Sequence, residues 1–198
     1  MKKITLAITG ASGIPFATKL LQELLNSNCK VNLVISQAGV LTSNQEMHFN
    51  LPTAPHKIHE ILVDELQLAN SNNLTVYAVK DWFAPIASGS SVDDVMIICP
   101  CSMATLAKVA GGIGDDLICR AADVILKERK NLIIVPRETP LSSIHLANML
   151  KLSDLGVSII PPVPAFYTHP KSVDDIVKFI VSRILDQARI NNDLVSRW

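Results

Sequence analysis

Six short apolar runs, separated by stretches of helical spacing, constrain this chain more than any other feature of its sequence. Lys3–Thr9, Lys30–Ile35, Leu74–Val79, Asp94–Cys99, Asn131–Val135 and Gly156–Ile160 read as strands. Most are continuously apolar rather than alternating, as a parallel sheet covered on both faces requires. Between them, Pro15–Leu25, His56–Leu68, Ser102–Ala110, Asp115–Lys130 and Ser142–Leu152 read as helices. The last helix, over 172–188, is the clearest. Val173, Ile176, Val177, Ile180, Val181, Ile184 and Leu185 form one apolar stripe, and Ser172 with Asp175 has the spacing of an N-terminal cap. This alternation predicts an α/β fold, a single-domain Rossmann-like (flavodoxin-like) doubly wound parallel sheet over 1–198 with helices on both faces. The 172–188 helix is expected to pack on that domain or on a neighbouring subunit.

Composition excludes several classes of partner. The 198 residues are enough for a core that needs no disulfide or metal staple. Eighteen basic and eighteen acidic side chains cancel, so no basic field advertises nucleic acid or a membrane surface. A mean hydropathy of +0.31 at zero net charge points to apolar surface covered by sister subunits of a homo-oligomer. The longest apolar stretch, Val95–Ala107, contains Pro100 and Ser102 and is shorter than the roughly 20 apolar residues that cross a bilayer. The basic start at Lys2 and Lys3 leads through a few apolar residues into Thr9 and Gly10. It reads as a strand entering a turn rather than an export signal, so a cytoplasmic protein is expected. Cys29 and Cys119 stand alone, and Cys99-Pro100-Cys101 lacks a second ligand pair, so no metal is expected.

Ligands of doubly wound sheets bind beyond the carboxyl ends of the strands, which directs attention to the loops that follow them. Gly10-Ala11-Ser12-Gly13 precedes a helix with Pro15 near its start; it is either an ordinary βα turn or a cradle for phosphate at the helix's positive end. It is neither a full dinucleotide fingerprint nor a P-loop. Ser102 leads the helix that carries Met103, Ala104 and Thr105, and capping alone accounts for it. Two hydroxyl-bearing βα turns nevertheless suit a mononucleotide. Ser36, not an acid, follows the second strand, which speaks against a dinucleotide.

Four cations raise the question of a second anion. Arg120 and Lys127 share a helix face, where Asp116 and Asp123, each four residues earlier, offer plain ion pairs. Arg137 directly follows a strand. Arg183 flanks the apolar stripe of the last helix and either snorkels or reaches a site lined by Phe166 and Tyr167. Together they exceed what one phosphate requires. Glu138 and Glu46 are the acid/base candidates, although Glu138 beside Arg137 also suits an ion pair. Trp82 is either a core or interface anchor or a face for a passing cation.

Thr9-Gly10-Ala11-Ser12-Gly13, Trp82-x-Ala84-Pro85-x-Ala87-Ser88-Gly89-Ser90, Cys99-Pro100-Cys101-Ser102, Arg120-Ala121-Ala122-Asp123-Val124-x-Leu126-Lys127-Glu128, Val135-Pro136-Arg137-Glu138-Thr139-Pro140 and Pro164-Ala165-Phe166-Tyr167 resemble the flavin prenyltransferases of the UbiX/Pad1 type. That family was long labelled aromatic-acid decarboxylases, and the likeness runs from about Lys3 to the last helix. It implies transfer of a dimethylallyl group from dimethylallyl phosphate to N5 and C6 of reduced FMN without a metal. The prenylated FMN would serve a UbiD-type decarboxylase, as in ubiquinone synthesis. By this resemblance Gly10, Ala11, Ser12, Ser36, Ser102, Met103, Ala104, Thr105 and Arg137 hold FMN. Tyr167, Arg183 and Lys127 hold the prenyl phosphate with help from Arg120. Glu138 handles the proton with Ser12 as relay and Glu46 as a second candidate, and Trp82 shields the allyl cation. Arg120 and Lys127 are expected from a neighbouring subunit, and the assembly is expected to be a homododecamer. One departure stands out: Asp116 occupies a place where the family often has Asn, and an acid cannot donate as an amide does. The rival readings are an FMN-dependent decarboxylase and a non-catalytic flavin carrier subunit.

Overall fold

The computed structural model describes residues 1–195; positions 196–198 of the expected domain lie outside the described residues. Six strands form one parallel sheet: β1 (Lys3–Ile8), β2 (Lys30–Ile35), β3 (Leu74–Tyr77), β4 (Val95–Cys101), β5 (Asn131–Pro136) and β6 (Ser158–Ile159), in the order β3-β2-β1-β4-β5-β6. Seven helices connect or flank them: α1 (Ile14–Asn26), α2 (Gln37–Met47), α3 (Pro55–Leu66), α4 (Met103–Gly111), α5 (Leu117–Lys127), α6 (Ser143–Asp154) and α7 (Val173–Gln187). The doubly wound Rossmann-like sheet expected from the alternation is therefore what the chain forms.

Side chains of successive strand residues point to opposite faces, and this divides the core in two. Ile4, Leu6 and Ile8 of β1 join Val31, Leu33 and Ile35 of β2 under α1, α3 and α7. Ala7, Val34, Met96 and Ile98 face the other way, against Leu106 of α4, Leu117 and Ile125 of α5, and Leu152 of α6. The α7 stripe closes the first face, with Val177, Ile180, Val181, Ile184 and Leu185 buried. Its start carries the expected cap: the Ser172 hydroxyl accepts from the Asp175 N–H, and the Asp175 carboxylate accepts from the Ser172 N–H.

Two departures from the sequence reading have physical causes. The segment 37–47 carries no apolar stripe, since only Gly39, Val40 and Ser43 of α2 are buried, so its helix has no periodic signature in the sequence. It is defined instead by the Ser36 cap, whose hydroxyl accepts from the Gly39 N–H at 2.9 Å. Strand β4 runs two residues past the expected Cys99, because Cys101 still pairs with Pro136 beyond a register shift. The crossover from β3 to β4 contains only two one-turn 3₁₀ helices, Pro85–Ala87 and Gly89–Ser91.

Candidate active site

Strand order reverses between β1 and β4, and a doubly wound sheet opens its ligand crevice at such a reversal. Thr9, fully buried, ties the two loops there together. Its N–H and its hydroxyl both donate to the Pro100 carbonyl, at 3.2 and 2.9 Å, and the same hydroxyl accepts from the Ser102 N–H at 2.8 Å. Beyond it, Gly13 adopts φ 116°, a left-handed conformation that glycine enters without steric cost, and turns the chain into α1. A Cβ on Gly10 would collide with the Cβ of Ala38, and one on Gly39 would lie 2.7 Å from the Ile8 carbonyl oxygen. The first turn of α2 thus packs directly on the end of β1 and the loop after it, which holds Gly10, Ala11, Ser12 and Ser36 on one rim.

The N-terminus of α1, left open between an ordinary turn and a phosphate cradle, is met by an acid of its own chain. The Glu46 carboxylate, reaching over from α2, accepts from the Gly13 N–H at 3.0 Å and the Ile14 N–H at 2.9 Å. An acid already satisfies the orphan amides and the positive end of the helix, so a phosphate there would meet like charge. Glu46 is consequently a holder of the loop that presents Ser12, whose side chain is exposed. The next rim is built by α4. Ser102 caps it, its hydroxyl accepting from the Thr105 N–H at 3.3 Å and lying 3.1 Å from the Thr105 hydroxyl; Met103 is half-buried and Ala104 exposed.

Arg137 completes this edge. Its N–H donates to the Cys101 carbonyl at 3.2 Å, so β5 delivers it beside the β4–α4 loop. Its guanidinium Nε is buried with no hydrogen-bond partner in the protein. A buried unpaired donor on a cation is costly, and an anionic or carbonyl-bearing ligand removes that cost. No ion pair joins Arg137 to Glu138 among the described residues. The Glu138 carboxylate instead accepts from the Thr139 N–H at 3.0 Å, and the side chain is exposed.

The remaining expected residues lie on opposite faces of the sheet. Arg120 and Lys127 project from α5, beside the second core cluster; Arg183 projects from α7, beside the first. Ion pairs form here as the spacing allowed, but with other partners. Arg120 meets Asp123 at 3.1 Å, Lys127 meets Glu128 at 2.5 Å and Arg183 meets Asp186 at 3.1 Å. Asp116 is engaged elsewhere: it caps α5, accepting from the Cys119 N–H at 2.9 Å. That role needs only an acceptor, so the acid in place of an amide costs the loop nothing there. Tyr167, in the one-turn helix Phe166–Thr168, sets its ring edge-on to Phe179 at 6.1 Å. Phe179 in turn lines a groove of about 490 Å³ with Arg183, Ile160 and Pro161. Trp82 is 45% exposed, with the Lys80 ammonium 6.0 Å from its ring centroid.

The cysteines take no part. Cys99 and Cys101 are fully buried and burial raises their thiols far above the ordinary range; the Cys119 thiol is pushed up to about 12, chiefly by burial. Asp115, Asp116 and Cys119 are the one group of metal-type ligands among the described residues, and the Lys108 ammonium sits on Asp115 at 2.8 Å. The sequence reading missed Thr9 and the pair Gly10–Ala38. Thr9 opens the run Thr9-Gly10-Ala11-Ser12-Gly13, but its buried hydroxyl bridge has no signature in one dimension.

Comparison with known proteins places the chain in a family. The profile of the Flavoprotein family matches residues 1–185. "Flavin prenyltransferase UbiX" of Pseudomonas aeruginosa is 47% identical over 197 residues, covering 100% of this chain and 94% of the relative. The crystal structure of AnUbiX (PadA1) in complex with FMN and dimethylallyl pyrophosphate superposes with a TM-score of 0.86 at 39% identity, covering 100% of this chain and 97% of that one. A dodecameric FMN-dependent UbiX-like decarboxylase from Escherichia coli O157:H7 does so at 0.84 and 42%, covering 99% and 98%.

Proposed function

This chain belongs to the flavoprotein family, among its flavin prenyltransferases, and from that premise we propose how its residues divide the work of moving a dimethylallyl group from dimethylallyl phosphate to FMN. The likeness that carries the reading is the one to AnUbiX, whose crystal structure holds both FMN and a dimethylallyl ester over the full length of this chain. The crevice residues fit FMN: a buried guanidinium Nε waits without a partner, and Gly10 leaves no side chain between the loops. When bound, reduced FMN supplies the nucleophilic N5 and C6 that accept the five-carbon unit.

Gly10, Ala11, Ser12, Ser36, Ser102, Met103, Ala104, Thr105 and Arg137 hold FMN in the crevice. With the Glu46 carboxylate already on the α1 amides, the N-terminus of α4, capped by the neutral Ser102 hydroxyl, is the better dipole for its phosphate. Tyr167, Arg183, Lys127 and Arg120 bind the prenyl phosphate and stabilise the charge that grows on it as the allylic C–O bond breaks. Trp82 excludes water and offers its ring face to the positive carbon. Glu138 handles the protons of ring closure, directly or through the departing phosphate, with Ser12 as relay: one is delivered to the alkene of the five-carbon unit so that its far carbon can bond C6, and one is taken up as C6 gives up its hydrogen. Glu46 acts through the loop that it caps.

Arg120 and Lys127 cannot share a phosphate with Arg183 across the sheet of one chain, so we assign them to the site of a neighbouring copy. Phe83, 99% exposed beside Trp82, and the exposed Ile144 and Leu150 of α6 are surface that such copies would cover, in a homododecamer like the Escherichia coli relative. Four free, buried cysteines suit the reducing cytoplasm. The prenylated FMN passes to a UbiD-type decarboxylase.

The test is anaerobic. Protein mixed with reduced FMN and dimethylallyl phosphate should release a flavin heavier by one five-carbon unit. Unchanged flavin from protein with FMN demonstrably bound would overturn the reading and turn attention to decarboxylation of aromatic acids.

A further inference from the structure

Helix α5 does more than carry two cations. Its polar face grips the turn at 85–91: the Arg120 Nε donates to the Ala87 carbonyl at 3.2 Å, and seven residues on, the Lys127 ammonium and the Glu128 carboxylate meet over Gly89. Consecutive helical residues point about 100° apart and do not normally face each other. These two do so because α5 ends at Lys127, which frees Glu128 to fold back over the last turn. A Cβ on Gly89 would collide with the Glu128 carboxylate oxygen and lie 2.7 Å from the Lys127 Nζ. Gly89 has no left-handed backbone to explain its presence, and what its missing side chain makes room for is this ion pair.

We infer that Gly89 and Glu128 are positioning residues for the Lys127 ammonium, together fixing where it can receive the phosphate of the prenyl donor. The inference rests on the reading of Lys127 as a phosphate ligand. A lysine tip on four rotatable bonds loses considerable conformational freedom when it binds an anion. Glu128 holds it in place before the donor arrives, and the Gly89 backbone forms the floor on which the pair lies. Both groups that an added methyl would meet are tips of flexible side chains, so Gly89→Ala displaces the ammonium rather than the fold.

The experiment compares Gly89→Ala, Glu128→Gln, Glu128→Asp and Lys127→Met in otherwise intact protein. Expected for Gly89→Ala and Glu128→Gln is a kcat/KM for dimethylallyl phosphate about tenfold lower, through a higher KM and also a lower kcat, because the misplaced ammonium serves a phosphate that gains charge as the C–O bond breaks. Calorimetric Kd values for dimethylallyl phosphate on FMN-loaded protein should rise in step, with FMN affinity and Tm unchanged. Glu128→Asp, which keeps the charge, should recover part of the loss. If Lys127→Met raises KM while Gly89→Ala and Glu128→Gln do not, the positioning role is wrong and the phosphate-ligand reading stands. If Lys127→Met leaves KM unchanged, both are wrong.

Discussion

The β1–α1 loop is held from both sides by its own chain, whereas the crossover from β3 to β4 leaves its two aromatic side chains facing outward. In the first, Thr9, Gly13 and the Glu46 carboxylate satisfy the backbone, and the packing at Gly10 and Gly39 leaves no room for a side chain. In the second, short 3₁₀ turns replace a helix; α5 fastens the middle, and Asp93 fastens the end. Trp82 and Phe83 find little cover. A loop that must hold a flat anionic ligand is preorganised by internal hydrogen bonds. A loop that must meet another copy keeps its apolar area exposed until assembly.

The largest effect should come from the preorganised side. Arg137→Leu removes the partnerless guanidinium, and FMN affinity in a fluorescence titration should fall on the order of 10- to 100-fold, the worth of a hydrogen bond to a charged group. Retained affinity would mean that the crevice at β1 and β4 does not centre on Arg137.

A smaller effect should come from the anchor of the crossover. Asp93 is buried between the Thr5 hydroxyl at 2.6 Å and the Asn32 amide at 2.8 Å, with Lys3 and Asp94 the nearest charges and the Asn32 carbonyl oxygen unpaired. Burial raises its carboxyl above the ordinary value, the two hydrogen bonds and Lys3 opposing the shift. Because the folded value exceeds the unfolded one, its stabilising contribution is complete below the unfolded carboxyl value and is lost as pH rises through the folded one. The Asp93 contribution to wild-type Tm should therefore fall with pH above about 4, the unfolded value. Asp93→Asn should remove that slope, a difference of about 2–4 °C for each kcal/mol involved. Parallel pH profiles for the two proteins would dismiss the titration.

The smallest effect on folding should come from Phe83→Ser. Replacing so exposed a side chain should change subunit stability by no more than about 0.5 kcal/mol. It should nonetheless weaken assembly, read as smaller particles in mass photometry at low concentration. An unchanged assembly would separate the crossover from the interface.

Much of the fold was legible because it is repetitive. Mostly continuous apolar runs announced six strands, although β6 keeps only Ser158–Ile159 of its expected length, and the stripe with its Ser172 cap announced α7 almost to the residue, although Val173 at its start is exposed. Helix α2 was not legible, since its burial is confined to Gly39, Val40 and Ser43 and leaves no period to detect. Of the candidate site, the loops after β1, β4 and β5 could be named from their place after strands, because the ligand edge of a doubly wound sheet follows from its connectivity.

The sequence alone determined the sheet, its two covered faces and the edge where ligands gather, since those depend on periodicity and chain order. Only the tertiary structure decided the partners. It placed Glu46, thirty-odd residues away in sequence, on the amides of α1. It also exchanged the expected ion pairs of α5 for Asp123 and Glu128, and set Arg183 across the sheet from Lys127. Hydrogen bonds and charges act over a few ångströms in space, and no spacing along a chain encodes which distant side chain will arrive there.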